Sequence, residues 1–314
     1  MAVLFPTTIH PIPTDPLAAY GPLVALRNPE SVEPEPYTNF SVKKITPTIG
    51  AEISGLRLGG DLSDEVMNDL RRALLEWKVL FFRDQDIDRA EHRAFAEQWG
   101  ALEQHPFFKF FQPGQTDADV TTLAKDAMVG GVENNWHNDV TWHEFPSFAA
   151  VLRAVEVPEV GGDTLWADTA AAYDLLPQGI KDRIDPLVAE HDWINSFGKS
   201  MPAESVEALR PQFPAVQHPI VRVIPESGRR VLFVNMTFTQ RIIGVSEEES
   251  NELLTLLYRH INRPEFQVRL KWEPNTVAFW DNRACQHYAA SDYFPERRVM
   301  DRISIVGDRP VGIV

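Results

Sequence analysis

Three residues of this chain could together bind a metal ion: His137, Asp139 and, far downstream, His287. If residues 136–142 form a β-strand, His137 and Asp139 point to the same side, because side chains alternate along a strand. One strand cannot complete a metal site, so the third ligand must come from elsewhere, and His287 is the natural choice. Two histidines and one carboxylate form the facial triad of non-haem iron(II) oxygenases, which leaves coordination positions open. The same ligands could also hold zinc for hydrolysis.

Two arginines near the end of the chain strengthen this interpretation. Residues 298–306 alternate as a strand does, which places Arg298 and Arg302 on one face and Val299, Ile303 and Ile305 on the other. The two guanidinium groups would then lie about 13 Å apart, at about 3.3 Å per residue. Arginine matches carboxylate or sulfonate oxygens in a bidentate way. The arginines therefore either pair with structural Asp or Glu, or anchor an anionic cosubstrate and an anionic substrate.

Composition excludes several other classes of protein. The net charge of −15 argues against a nucleic-acid partner, which rewards basic surfaces. No apolar run is long enough to span a bilayer, and the N-terminus lacks the pattern of a secretory signal. The single cysteine, Cys285, rules out an internal disulfide and fits a reducing compartment. We predict a soluble, cytoplasmic enzyme that acts on a small anionic molecule.

Helices and strands that could position these residues can be predicted from their caps and periodicity. Ser63 is a helix N-cap, and Asp88 with Glu91 resembles a capping box. Residue ranges 79–82 and 148–155 are predicted strands, as is one that begins near Thr164. Further predictions are a hairpin of 221–224 with 231–234, a helix over 247–260, and strands at 276–280 and 299–306 on either side of a loop that carries His287.

Two regions fall outside this pattern of strands and helices. Eight of the first 38 residues are proline, which predicts an extended arm, either a mobile tail or a segment that packs on its own domain or on a neighbouring subunit. Residues 39–314 then form one domain. Within it, the range around 168–215 is predicted to be a helical insertion, since apolar helical pieces alternate there with prolines.

Longer stretches of the chain resemble a known family. The runs Trp280-Asp281-Asn282-Arg283 and Gln286-His287-Tyr288-Ala289 are highly specific, and the similarity extends from about 42 to 310. The sequence looks like the taurine dioxygenase (TauD/TfdA) family of iron(II)- and 2-oxoglutarate-dependent dioxygenases. This resemblance implies a mainly β fold with flanking helices around a double-stranded β-helix, a jelly-roll or cupin-like core. It also implies a homo-oligomer, a dimer or tetramer.

The resemblance assigns roles by position. His137, Asp139 and His287 match the iron ligands, and Arg298 with Thr164 matches the pair that holds the distal carboxylate of 2-oxoglutarate. The substrate would be contacted by Arg302 at its anion, together with His105, the backbone of Val140, Phe197 and Phe238.

Two positions depart from the taurine-specific members. Phe108 stands where the taurine-specific members have Tyr, and Glu133 stands where they have Asn. The adjacent Asn134 could substitute after a small shift, and Glu133 could pair with the ammonium group of a substrate. Glu133 could equally be a solvated loop residue, and the pocket would then prefer a less polar tail.

The implied reaction consumes 2-oxoglutarate and O₂ and hydroxylates the carbon beside sulfur in a sulfonate such as taurine. The product breaks down to sulfite and an aldehyde, with succinate and CO₂ released. An alkylsulfatase or an aryloxyalkanoate-type dioxygenase is the alternative, since the same arginine would hold sulfate or carboxylate. A metal-free jelly-roll binding module is the alternative that is not an enzyme.

Overall fold

The computed structural model describes residues 27, 35–107, 119–128 and 134–313. Its strands are β1 Ser41–Lys44, β2 Ala51–Ser54, β3 Val79–Phe82, β4 Leu102–Glu103, β5 Thr121–Lys125, β6 Ala149–Glu156, β7 Thr164–Asp168, β8 Val188–His191, β9 Val216–Pro219, β10 Val221–Val223, β11 Arg230–Leu232, β12 Thr239–Ile242, β13 Gln267–Leu270, β14 Val277–Asp281, β15 Cys285–Ala289 and β16 Arg298–Ile305. Its helices are α1 Asp64–Trp77, α2 Arg89–Glu97, α3 Thr169–Asp174, α4 Gln178–Ile184, α5 Ala203–Leu209 and α6 Glu247–Ile261, with 3₁₀ helices at Phe197–Ser200 and Pro264–Phe266.

Two sheets form the centre of the molecule. The larger has the order β1-β2-β3-β14-β6-β16-β4, with β5 also paired to β16, and the smaller has the order β13-β7-β15. Apolar side chains of both sheets share one buried cluster, in which Phe81 and Leu152 of the larger sheet join Trp166 and Val268 of the smaller one. Facing layers of mostly antiparallel strands are the architecture of a jelly roll. The predicted mainly β fold is therefore confirmed.

Helices α1 and α2 cover the outer face of the larger sheet. Both begin at the predicted caps: the Ser63 side chain accepts from the backbone N–H of Val66, and Asp88 forms a complete capping box with Glu91. Trp77 and other apolar side chains of these helices are buried with Ile303 and further residues of the sheet. This packing leaves the opposite face of β16, which carries Arg298 and Arg302, turned toward the smaller sheet.

The range around 168–215 is not entirely helical. It contains α3, α4 and α5, but it also contains β8, which pairs with β9 and β12 in a three-stranded sheet. The strand was missed because its four residues alternate through only two buried positions. So short an alternation does not separate a strand from a loop.

Few residues of the predicted arm, 1–38, lie within the described part of the chain, and the domain boundary at 38 stays a prediction. Arg27 forms an ion pair of 2.6 Å with Glu76, and its guanidinium lies 4.4 Å from the ring centre of Trp77. The Tyr37 hydroxyl also donates to Glu76, at 2.6 Å. At these two residues the chain packs on α1. None of the helices in the described ranges is long and apolar enough to cross a membrane.

Candidate active site

The two histidines of the predicted triad are joined through their backbones. The N–H of His137 donates to the carbonyl of His287 at 3.1 Å, and the N–H of His287 donates back to His137 at 2.8 Å. His287 lies in β15 and faces Trp166 of β7, so its predicted placement in a loop is wrong. Strand β15 belongs to the smaller sheet, and His287 is buried there.

Residues 136–142 are not a β-strand, contrary to the prediction. Only His137 makes a β-bridge, and the chain turns from Asp139 through Trp142. Val140 has φ of 56°, a left-handed conformation that a β-branched side chain disfavours. Such a conformation costs of order 1–3 kcal/mol and persists where surrounding contacts hold it. Beyond this turn, the ring of His143 packs against Phe145 and Phe213.

The three side chains nevertheless converge. Oδ1 of Asp139 lies 3.5 Å from Nε2 of His137 and 3.6 Å from Nε2 of His287. One ligand atom from each residue lies within 4.8 Å of the others. Two ligands at right angles on one metal, each bonded at about 2.1 Å, are about 3 Å apart. The donor set and its spacing therefore fit a single metal ion with one open face.

Protonation states also favour metal binding. Burial lowers the pKa of His287 well below its ordinary value, which keeps the imidazole neutral, as a ligand must be. Burial alone would raise the pKa of Asp139, but the guanidinium of Arg302 and the two histidines outweigh it and hold that pKa low. The Nδ1 of His137 lies 2.8 Å from the carbonyl of Asn135, a contact that directs Nε2 toward the site.

Arg298 and Thr164 meet beside the triad, as the resemblance implied. Arg298 Nη2 lies 3.5 Å from the Thr164 hydroxyl, and its Nε donates to the carbonyl of Gly162 at 3.2 Å. The guanidinium sits about equally far, 6.0 and 5.9 Å, from the ring centres of Trp272 and Tyr293. A cavity connects this pair to the metal ligands, and its lining includes His137, Thr164, Trp280, His287, Arg298 and Arg302. The cavity can hold an anion with one end at Arg298 and the other at the triad.

Arg302 lies on the same face of β16 and reaches the triad directly. Its Nη2 forms a close ion pair with Oδ2 of Asp139. Its guanidinium carbon lies 5.9 Å from the ring centre of Trp280. Arg302 thus places a positive charge beside the open face of the ligand set.

An aromatic wall stands next to Arg302 and includes four of the predicted substrate residues. The ring of His105 lies 5.7 Å from that of Phe197, and Phe197 lies 5.7 Å from Phe238. Phe238 is in turn 6.3 Å from the ring of His137. The aromatic wall consists of His105, Phe107, Val140, Trp142, Trp193, Phe197, Met201, Phe213 and Phe238. Burial lowers the pKa of His105 to about 4, helped by the charge of Arg302, so this imidazole is neutral.

Three residues were predicted to contact a polar tail of the substrate. Phe108 and Glu133 lie outside the described residues, and Asn134 is exposed. Their proposed roles remain predictions.

Several polar residues around the site were missed from the sequence. Asn282 and Asn138 bind the backbone of the triad segments, and Asn235 donates to the Thr141 hydroxyl at 3.0 Å. The sequence signal for Asn282 was the run Trp280-Asp281-Asn282-Arg283. That run supported the family resemblance, but it did not indicate which contacts its side chains make.

Glu103 is a further residue that the sequence did not indicate. It lies in β4 opposite Ser304, and its carboxylate accepts a hydrogen bond from the Ser147 hydroxyl. Burial raises its pKa to about 7, although Ser147 and the charge of Arg302 act in the opposite direction and Asp139 adds to the rise.

This raised pKa predicts a measurable pH dependence of stability. Between about pH 4.5 and 7 the folded protein keeps a proton on Glu103 that the unfolded chain has lost, so the free energy of unfolding falls as pH rises. Glu103→Gln removes this loss. We therefore compare the free energy of unfolding of Glu103→Gln with that of wild type. We expect the difference to shift in favour of the variant by on the order of 1–2 kcal/mol from pH 5 to pH 8.

Urea unfolding at both pH values measures the effect, with Glu159→Gln at an exposed position as the control. A Glu103→Gln difference that is the same at pH 5 and pH 8 would contradict the prediction.

Comparison with known proteins places the chain among relatives. The model of the taurine catabolism dioxygenase TauD, TfdA family matches residues 41–304. The chain is 36% identical over 285 residues to an alkylsulfatase of Acinetobacter baylyi, covering 88% of each chain. It is 38% identical over 282 residues to an alpha-ketoglutarate-dependent sulfate ester dioxygenase of Pseudomonas putida, covering 87% of this chain and 92% of that protein. The crystal structure of a taurine dioxygenase from Burkholderia xenovorans superposes with a TM-score of 0.74 at 37% identity, covering 88% and 93%.

Proposed function

The chain belongs to the TauD/TfdA family of 2-oxoglutarate-dependent dioxygenases, and from this premise we propose that it oxidises a small sulfonate or sulfate ester at the carbon next to the sulfur-bearing group. The observation that carries the proposal is the position of Arg302. Its guanidinium lies against the metal-binding carboxylate, on the same strand face as Arg298. A substrate anion bound there brings its neighbouring carbon to the open face of the triad.

Each of the two arginines binds a different anion. Arg298 and Thr164 hold the distal carboxylate of 2-oxoglutarate at one end of the cavity, and Arg302 with His105 holds the anionic group of the substrate. Bidentate contacts of this kind fix orientation as well as affinity. A zinc hydrolase would leave the Arg298–Thr164 pair without a role.

Bound iron(II) supplies O₂ activation coupled to the decarboxylation of 2-oxoglutarate to succinate and CO₂. The protein contributes positioning and the exclusion of water. Phe197 and Phe238 stand between the triad and the rest of the aromatic wall, where they keep water from the reacting carbon. Hydroxylation beside a sulfonate gives an aldehyde and sulfite, and hydroxylation beside a sulfate oxygen gives an aldehyde and sulfate.

The aromatic wall favours an apolar tail on the substrate. Its part nearest the triad is apolar: Phe238 lies 6.3 Å from the ring of His137, and the partly exposed Phe197 lies 5.7 Å from Phe238. An alkyl chain gains roughly 0.8 kcal/mol for each CH₂ group that it buries on such a surface, whereas an ammonium group needs an acceptor. Taurine is the narrower possibility, since it requires Glu133 or Asn134 to contact the amine. The family resemblance also leads us to propose a homo-oligomer, which light scattering in solution would test.

The test is anaerobic reconstitution with iron(II) and 2-oxoglutarate, then exposure to oxygen with a substrate panel. Hexyl sulfate and hexanesulfonate share one tail, while taurine and an aryloxyacetate vary the tail and the anion. We expect succinate to form in step with sulfate or sulfite and aldehyde, with kcat/KM for the hexyl compounds at least about tenfold above taurine. Taurine as the best substrate would show that the amine has a partner, and turnover of the aryloxyacetate alone would contradict a sulfur-containing substrate.

A further inference from the structure

The three metal ligands come from two segments that are far apart in the chain. His137 and Asp139 lie on the loop before β6, and His287 lies in β15. The backbone bridge between His137 and His287 joins these segments at one point only. Asp139 lies two residues after this bridge, in a turn. The bridge therefore does not fix the position of Asp139, and a second connection between the two segments is needed.

Asn282 makes that second connection. Its side-chain Oδ1 accepts from the backbone N–H of Asp139 at 2.7 Å, and its Nδ2 donates to the carbonyl of the same residue at 3.1 Å. Nδ2 also donates to the carbonyl of Ser147 at 2.9 Å. One fully buried amide thus holds both peptide groups that flank the Asp139 side chain. Its orientation is unambiguous, since one end faces an N–H and the other faces two carbonyls.

Asn138 makes the reciprocal contact from the other segment. Its Nδ2 donates to the carbonyl of Asn282 at 2.7 Å and to the carbonyl of Cys285 at 3.0 Å. Cys285 is the first residue of β15, two positions before His287. Each segment therefore carries a buried asparagine that binds the backbone of the other.

We infer that Asn282 and Asn138 are positioning residues that set the spacing of the metal ligands by locking the Asp139 turn to the strand of His287. The contact with both peptide groups of Asp139 also explains how Val140 is held at φ of 56°. If the Asp139 contacts are removed, the turn can relax toward an ordinary conformation and carry the carboxylate away from the two imidazoles. The inference rests on the proposed metal site.

Gln85 provides a matched control elsewhere in the molecule. It is also a buried amide, and it also accepts from one backbone N–H, that of Leu58 at 2.7 Å. It likewise donates to two carbonyls, those of Leu56 at 3.2 Å and Arg83 at 2.9 Å. Truncating Gln85 or Asn282 to alanine removes the same number and kind of hydrogen bonds. A loss common to both variants is therefore structural, and a loss confined to Asn282→Ala belongs to the metal site.

The experiment is calorimetric titration of the full-length apoprotein with Mn(II), which reports metal affinity without turnover, together with thermal unfolding. We expect both alanine variants to melt below wild type, but only Asn282→Ala to bind Mn(II) about 10–100-fold more weakly, the usual cost of losing an outer partner of a metal site. Asn138→Ala leaves the Asn282 side chain in place and should weaken Mn(II) binding by a smaller factor. It serves as the deciding variant if Asn282→Ala does not fold.

The deciding variant is Asn282→Ala, or Asn138→Ala if Asn282→Ala does not fold. If it binds Mn(II) within twofold of the affinity of Gln85→Ala, the inference is overturned and the proposed function stays intact. Failure of the wild-type protein to bind Mn(II) or iron(II) would instead remove the metal site, and with it both proposals.

Discussion

Replacement of His137 or Asp139 by alanine should reduce iron-dependent succinate formation by on the order of 10³-fold or more, which corresponds to about 4 kcal/mol of activation free energy. Each substitution removes one of three donor atoms that lie within 4.8 Å of one another. With only two of the three protein ligands left, iron(II) would be held weakly and 2-oxoglutarate would be less well oriented. His137→Ala should keep the fold, because the bridge to His287 uses only backbone atoms.

Succinate measured under saturating iron(II) and 2-oxoglutarate tests this expectation, with circular dichroism to show that the variants are folded. His260→Ala is the matched control, since this partly buried histidine contacts the carbonyl of Ala172 in α3 and is remote from the triad. Its activity should stay within about twofold of wild type. Retained turnover in His137→Ala would refute the assigned ligand set.

The second large effect concerns which arginine binds which anion. Arg302→Ala should raise KM for the sulfonate or sulfate ester about 10–100-fold and leave KM for 2-oxoglutarate nearly unchanged, because a charge-assisted contact contributes roughly 1.5–3 kcal/mol. Arg298→Ala should do the reverse, since its guanidinium meets Thr164 at the far end of the cavity. Steady-state kinetics with each compound varied in turn gives both values.

Lysine at each position separates charge from geometry. A lysine keeps the positive charge but cannot form a bidentate contact, so we expect KM values between those of wild type and alanine. Arg302 also pairs with Asp139, so its variants must be assayed at saturating iron(II). Equal increases in both KM values for both alanine variants would mean that the two anions are not divided in this way.

Local sequence was sufficient to predict the longer regular elements of the fold, but not the short strands β8 and β15. Helices α1, α2 and α6 begin at Ser63, Asp88 and Ser246, because each cap binds a backbone N–H in the first helical turn. The alternation in β16 placed Arg298 and Arg302 on one face because that strand continues for eight residues, long enough for a period of two to be clear. Helix caps and strand alternation depend on residues that are close in the chain. The sequence alone therefore predicts them well.

The proximity of His137, Asp139 and His287 was also predicted, but its physical cause differs from the expected one. A strand at 136–142 was expected to align His137 with Asp139, whereas the structure has a turn with Val140 in a left-handed conformation. The side chain of Asn282, which follows that turn by more than a hundred residues, holds it there. Local propensity cannot report a hydrogen bond from a distant segment, and here that bond outweighs it.

Burial and charge in the finished molecule decided the rest. Nothing in residues 101–104 indicates that the carboxylate of Glu103 binds Ser147 and lies near the charge of Arg302. Nor do these residues indicate that burial raises the pKa of Glu103 to about 7. The aromatic wall likewise assembles side chains from the loop at 105–107, the turn at 140–142 and the segments at 193–213 and 238. Sequence determined the types of the reactive groups and the strands and helices that carry them. Only the tertiary structure decided their separations, their protonation and the shape of the surface beside them, because these depend on contacts between segments far apart in the chain.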